Sequence, residues 1–262
     1  MTVERGFARM SNIVGCVTTA TLILFSAAAH ALPYQVTIQP INVCDDSGLN
    51  CGNPTEELFF AETRKIWAQA DINVTFLAFN QFNNSGFQTI DGPTDTTSAP
   101  SLGNLSSAAN NGENADSTVI NIWFLDNITG GSFGLRFIGG NGIAIADETF
   151  AFNSGNGRLD TIAHEIGHNL GLDHASAAGD NFNLMRSGGS RLSPTTIGDI
   201  APDGSGFDQL SQPQTDVVLT SLFITEADQL SEPGGIAVML TGLLLMAAMI
   251  RAVPASGATR RS

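Results

Sequence analysis

One stretch constrains the fold more than any other: His164-Glu165-Ile166-Gly167-His168-Asn169-Leu170-Gly171-Leu172-Asp173-His174. On an α-helix successive residues turn by about 100°, so side chains four apart differ by only about 40° around the axis. His164 and His168 then project from one face, one turn apart, and can hold a single metal ion through their imidazoles. Glu165 sits beside them, within reach of a water at the metal. Gly171 suits the left-handed position that ends a helix, so the chain can turn back and bring His174 in as a third ligand. Three neutral nitrogens leave a fourth position for water, as catalytic zinc requires and structural zinc usually does not. The chain has four histidines. His30 lies in a segment read below as a leader, so every other histidine falls in this motif.

The rest of the sequence supplies the elements around that helix. Tyr34 to Val43 alternates and is rich in Val, Ile and Thr, which predicts a strand. A helix is expected from Pro54 to Ala70, with Asn53 or Thr55 as its N-cap, and a strand from Ile72 to Phe79. Asn80 to Ser117 is dominated by Asn, Ser, Thr, Gly and Ala and reads as a long surface excursion with no chemistry of its own. Val119 to Leu125 reads as a buried strand, and Gly142 to Ala146, short and flanked by glycine, as an edge strand. The motif helix runs from Leu159 to Leu170. An irregular stretch from Gly188 to Gly206 precedes helical spacing from Gln209 to Ile224. This order predicts an α/β (α+β) domain with a mixed, twisted sheet.

The extended pattern H-E-x-x-H-x-x-G-x-x-H is the metzincin signature, and the chain resembles that family of zinc peptidases. The resemblance also takes in Ile66-Trp67-Ala68-Gln69-Ala70 with the strand after it. It implies a zincin-like domain, zinc on His164, His168 and His174, and Glu165 as general base. It further implies a methionine turn at Asn183-Leu184-Met185-Arg186, where Met185 packs beneath the metal, and a strand at Gly142–Ala146 that pairs with bound peptide. A plain core-filling role for Met185 leads to the same place. Astacin- and serralysin-like members carry a tyrosine two residues after the methionine; Ser187 stands there, and the only tyrosine is Tyr34. Asn169 is similar to the adamalysin pattern, but Ala175 replaces its aspartate. No named subfamily follows.

Both ends read as addresses. Arg5 and Arg9, an apolar stretch from Ile13 to Ala29 and Ala29-His30-Ala31 form a secretory leader over 1–31. The catalytic domain is expected over 32–230. Within 231–262, Ser231-Glu232-Pro233 precedes an apolar run, Gly234 to Ile250, and a basic tail. That end resembles the PEP-CTERM sorting signal, which an exosortase removes in Gram-negative bacteria; a plain C-terminal membrane anchor is the alternative. Export to the cell surface or medium follows from either reading. Cys44 and Cys51 close a short loop, so a disulfide is expected in an oxidising compartment, the alternative being a thiolate that plugs the zinc.

The net charge of −14 excludes nucleic acid and anionic lipid as primary partners. Between residues 32 and 230 only Arg64, Lys65, Arg136, Arg158, Arg186 and Arg191 are basic. Asp203 with Asp208, and Asp147 with Glu148, offer oxygen ligands for calcium, but neither group has a full loop pattern. The expected activity is zinc-dependent hydrolysis of peptide bonds in an extended protein or peptide substrate. Two alternatives stay open: a zinc hydrolase of a non-peptide substrate, and a surface matrix or adhesion protein whose metal serves folding alone. Glu165 speaks against the last, since a structural site has no use for a base.

Overall fold

The computed structural model describes residues 32–52, 59–92 and 99–227. The leader, the expected start of the first helix with its cap, and the whole C-terminal segment lie outside the described residues. Among the described residues no helix is long and apolar enough to cross a membrane.

In chain order the regular elements are β1 (Tyr34–Cys44), α1 (Phe60–Ala68), β2 (Ile72–Phe76), β3 (Asn80–Asn83), β4 (Thr89–Ile90), α2 (Leu102–Ser107), β5 (Val119–Leu125), β6 (Asn127–Ile128), β7 (Gly134–Arg136), β8 (Ile143–Ala146), α3 (Glu148–Gly155), α4 (Thr161–Asn169), α5 (Gln212–Val218) and β9 (Ile224–Glu226). Seven strands form a mixed sheet along the path β2-β1-β5-β8-β7, with β3 and β9 also on β1. All its pairings are parallel except β7 on β8 and β9 on β1. The expected mixed α/β architecture is present.

β1 is central because its side chains alternate between two apolar environments. Val36 and Ile38 enter one core, Ile41 and Val43 the other. All seven residues of β5 are buried, the pattern of a strand covered on both faces. On the first face α1 and α4 pack through Phe60, Ile66, Trp67, Ile162, Ala163 and Ile166. Phe60 stacks on Phe76 with ring centroids 3.6 Å apart, fixing α1 to β2.

The second face corrects the reading of Asn80–Ser117 as a surface excursion. Phe82, Ile90, Leu102 and Leu105 from this segment are buried against Ile41, Trp123 and Leu125 and make a second core. The polar residues between them build local turns. Asn84 accepts from the Gly86 N–H, Ser101 and Asn104 form a capping box on α2, and Asn111 donates to the Leu105 and Ser106 carbonyls. Anchors this irregularly spaced leave no period to read.

Three further expectations change. The strand from Ile72 stops at Phe76, and pairing to β1 resumes at Asn80. The helix expected over Gln209–Ile224 is only Gln212–Val218, while Ile224 begins β9. Val217 and Leu222, apolar residues within that stretch, are exposed. Gly142–Ala146 is not an edge, because β8 pairs with β5 on one side and β7 on the other. The sheet ends at β7.

Cys44 and Cys51 are joined by a disulfide. It ties the end of β1 to a loop that passes so close to β5 that a Cβ on Gly52 would lie 2.5 Å from the Leu125 backbone. Closing a loop of this length stabilises by about 2 kcal/mol, chiefly by restricting the unfolded chain. Cys51→Ser is expected to lower the denaturant midpoint accordingly. Reductant should shift the parent protein by the same amount and leave the variant unmoved.

Candidate active site

The centre is built on α4, all nine residues of which are buried. The Nε2 atoms of His164, His168 and His174 converge, 3.2 Å apart for two pairs and 3.3 Å for the third. His174 arrives as the sequence suggested: Gly171 adopts φ 100°, and the turn that carries His174 is capped by Asp173, which accepts from the Ser176 N–H. His164 Nδ1 donates to the Leu184 carbonyl and His168 Nδ1 to the Leu172 carbonyl, each at 2.7 Å. Those donations leave the Nε2 lone pairs of His164 and His168 facing one another, with His174 Nε2 completing the triangle. The contact between those two lone pairs is repulsive unless a cation lies between them. Nitrogens about 2.0–2.1 Å from a tetrahedral zinc would be about 3.4 Å apart, so the set fits that ion.

Burial is the first cause of lowered pKa at all three histidines. It acts with Arg191 at His164, and with Arg136 at His168 and His174; His168 falls to about 3. All three are therefore neutral ligands near pH 7. Glu165 is pushed up to about 7 by burial, against the opposing pull of Arg136. Glu165 Oε2 is buried with no hydrogen-bond partner and lies 3.4 Å from Arg136 Nε.

Two glycines bring backbone onto this helix. A Cβ on Gly134 would lie 2.7–3.0 Å from the Glu165 side chain, so β7 passes directly over the carboxyl. A Cβ on Gly167 would lie 2.6 Å from Met185 Sδ, so the methionine seats against bare helix. Met185 is fully buried. Its turn is held by Asn183, which accepts from the Met185 N–H and exchanges amide hydrogen bonds with Gln214. Asn169 clamps α4 to the turn between β7 and β8: it donates to the Phe137 and Gly142 carbonyls and accepts from the Gly142 N–H.

Beneath His164 lies a charge cluster that the motif did not announce. Asp160 is buried between Arg158 and Arg191, and Arg191 Nη1 packs against His164 Nδ1 while donating to the Leu184 and Arg186 carbonyls. Both Asp208 oxygens are buried without a donor. Burial, then the charge of Asp160, pushes Asp208 up to about 9, so it keeps a proton near pH 7.

The other sequence candidates lie elsewhere. Asp203 pairs with Lys65 at 2.9 Å, and among the described residues the convergent group of possible metal ligands is the three histidines. Cys44 and Cys51, bonded to each other, present no thiolate. Sequence reasoning missed Gly134, Arg136, Arg158, Asp160, Gly167 and Arg191. The available signals were the glycine inside the motif and the scarcity of basic residues.

Two outcomes follow. Alanine is a better helix former than glycine by about 1 kcal/mol, yet Gly167→Ala is expected to lower the melting temperature by several degrees because it displaces Met185. Adding Met185→Ala should recover part of that loss, read by thermal denaturation of the double variant. Asp208 has a folded-state pKa above its unfolded value, so it favours the folded state at low pH. That contribution fades as pH rises from the ordinary carboxylate range toward about 9. Asp208→Asn, acceptable to the left-handed backbone at this position (φ 58°), should flatten this decline in a melting series against pH.

Residues 65–175 match the family described as metallo-peptidase family M12B, reprolysin-like. No curated protein matches the chain. Among solved structures, archaemetzincin from Methanopyrus kandleri aligns at 13% identity with a TM-score of 0.41, covering 72% of this chain and 96% of that one. Archaemetzincin from Archaeoglobus fulgidus, solved with malonate, aligns at 16% and 0.34, covering 70% and 99%. Metalloproteinase-II from Bacteroides fragilis aligns at 17% and 0.44, covering 75% of this chain and 55% of that one. The reprolysin-like segment contains His164, Glu165, His168 and His174, and with three histidines suited to a metal ion, this chain is a zinc metallopeptidase.

Proposed function

We propose that the protein is an exported endopeptidase in which His164, His168 and His174 hold zinc and Glu165 is the general base. The observation that carries this reading is the position of Glu165 beside the converged imidazoles, its buried Oε2 free of hydrogen bonds and facing Arg136 under the terminal strand of the sheet. When bound, zinc would supply Lewis-acid polarisation of the scissile carbonyl and would acidify a water to a pKa of about 7. β7 offers its outer edge to an extended peptide, which would add as a further strand. That places a peptide carbonyl over Glu165. The Glu165 carboxylate accepts a proton from the attacking water and passes it to the leaving amine as the C–N bond breaks. Asn169 fixes the distance between β7 and α4, and with it the width of the cleft.

Export rests on the leader at 1–31, with a mature start at Leu32, and on the PEP-CTERM-like segment 231–262; the Cys44–Cys51 disulfide suits an oxidising compartment. The exported protein is expected to contain one zinc per chain, to cleave unfolded casein and to lose that activity to a chelator. An intact mass beginning at Leu32 would support the leader. Glu165→Ala should keep its zinc and its fold while losing about 10²–10⁴-fold in turnover. A folded protein that takes up no zinc, or a fully active variant, would refute the assignment.

A further inference from the structure

The cleft opens beside the histidines into a cavity of about 410 Å³, lined on one side by β7 and the segment before it and on the other by Arg158, Thr161, Gly188 and Arg191. Its lining is unusual for this chain. Of the six basic residues between 32 and 230, three, Arg136, Arg158 and Arg191, line this one cavity. The others are engaged elsewhere: Arg64 lies over Phe76, Lys65 pairs with Asp203 and Arg186 donates to Asn181.

We propose, resting on the peptidase reading, that this cavity selects an aspartate or glutamate side chain adjacent to the scissile bond. Arg158 is built as a rigid anion receptor. Its guanidinium lies over the Phe133 and Phe152 rings at 5.6 and 5.8 Å, and Nη2 donates to the Gly188 carbonyl at 2.9 Å. Arg136 Nε and the Thr161 hydroxyl are buried without hydrogen-bond partners. Three guanidinium groups face two carboxylates, Glu165 and Asp160, while Asp208 retains its proton and adds no charge. An anionic side chain would offset the surplus positive charge and could accept from the Thr161 hydroxyl and from Arg136, whose Nε makes only the 3.4 Å ion pair to Glu165. A neutral amide of the same shape keeps one accepting oxygen but lacks the charge and turns an NH2 donor toward the guanidinium groups, so it binds less tightly. A cationic side chain would meet like charge at close range.

The test is cleavage of a mixed peptide library by the full protein, with cut sites read by mass spectrometry. Acidic residues beside the cut are expected to be enriched at least tenfold over asparagine and glutamine. Arg158→Gln should remove most of that preference, read as the ratio of kcat/KM for acidic peptides to kcat/KM for neutral ones. A second readout does not depend on turnover or on the folding of that variant. The Glu165→Ala protein should bind a fluorescent acidic peptide at least tenfold more tightly than its amide counterpart, and added salt should narrow the gap. Cleavage with no acidic preference, or equal binding of the two peptides, overturns this inference and leaves the peptidase reading intact. Failure to cleave or bind any peptide overturns both.

Discussion

Three imidazole nitrogens are held 3.2–3.3 Å apart, two of them with lone pairs that repel, and much of the domain serves to hold them there. The first requirement is a fixed tautomer, which the Leu184 and Leu172 carbonyls supply by accepting from Nδ1 of His164 and His168. Neither carbonyl belongs to α4. Leu172 follows the left-handed Gly171, so the turn that brings His174 back also orients His168. Leu184 lies on the methionine turn, whose own N–H donates to the Gln209 carbonyl, so the lower part of the domain orients His164. Ligand geometry and ligand protonation are thus set by the same backbone, and neither can move without the other.

The second requirement is close approach, and absent side chains meet it. Gly134 lets a strand cross the Glu165 carboxyl, and Gly167 lets Met185 reach the helix backbone. Buried amide side chains add direct links between layers. Asn169 joins α4 to the β7–β8 turn, and Asn183 with Gln214 joins the methionine turn to α5. An amide offers both donor and acceptor, so each fixes two directions at once without placing another charge beside the metal site. Both pairs are buried, where an unmade hydrogen bond costs most.

The ligand set was legible because spacing on a helix is a local property: His164, Glu165 and His168 need nothing beyond their own turn, and Gly171 announces the return of His174. β5 was legible for a similar reason, since six of its seven residues are apolar, Asn121 being the exception. β7 was not. Gly134-Leu135-Arg136 is too short to show a period, and its role as the terminal strand is decided by pairing with β8 and packing on α4. The second core was hidden because Phe82, Ile90, Leu102 and Leu105 lie at irregular intervals in a polar background, each placed by a different turn. The Arg158–Asp160–Arg191–Asp208 cluster is a tertiary product, assembled from the approach to α4 and from two loops well beyond it.

That cluster also shows why stability alone does not account for its residues. Burying an ion pair is often no better than burying apolar groups of the same size, because desolvation offsets the attraction. Its consequence lies in what Arg191 touches: the Leu184 and Arg186 carbonyls, and through Leu184 the backbone against which His164 leans. The positive charge of Arg191 adds to burial in keeping His164 unprotonated. A neutral imidazole binds a metal without first releasing a proton, so the metal meets less competition as pH falls. Arg191 also repels the metal it makes room for, and Asp160 and Glu165 offset that repulsion from two sides. Burial and the charge of Arg191 together keep His164 neutral, while Asp160, paired with Arg191, limits the positive charge that a dication would meet.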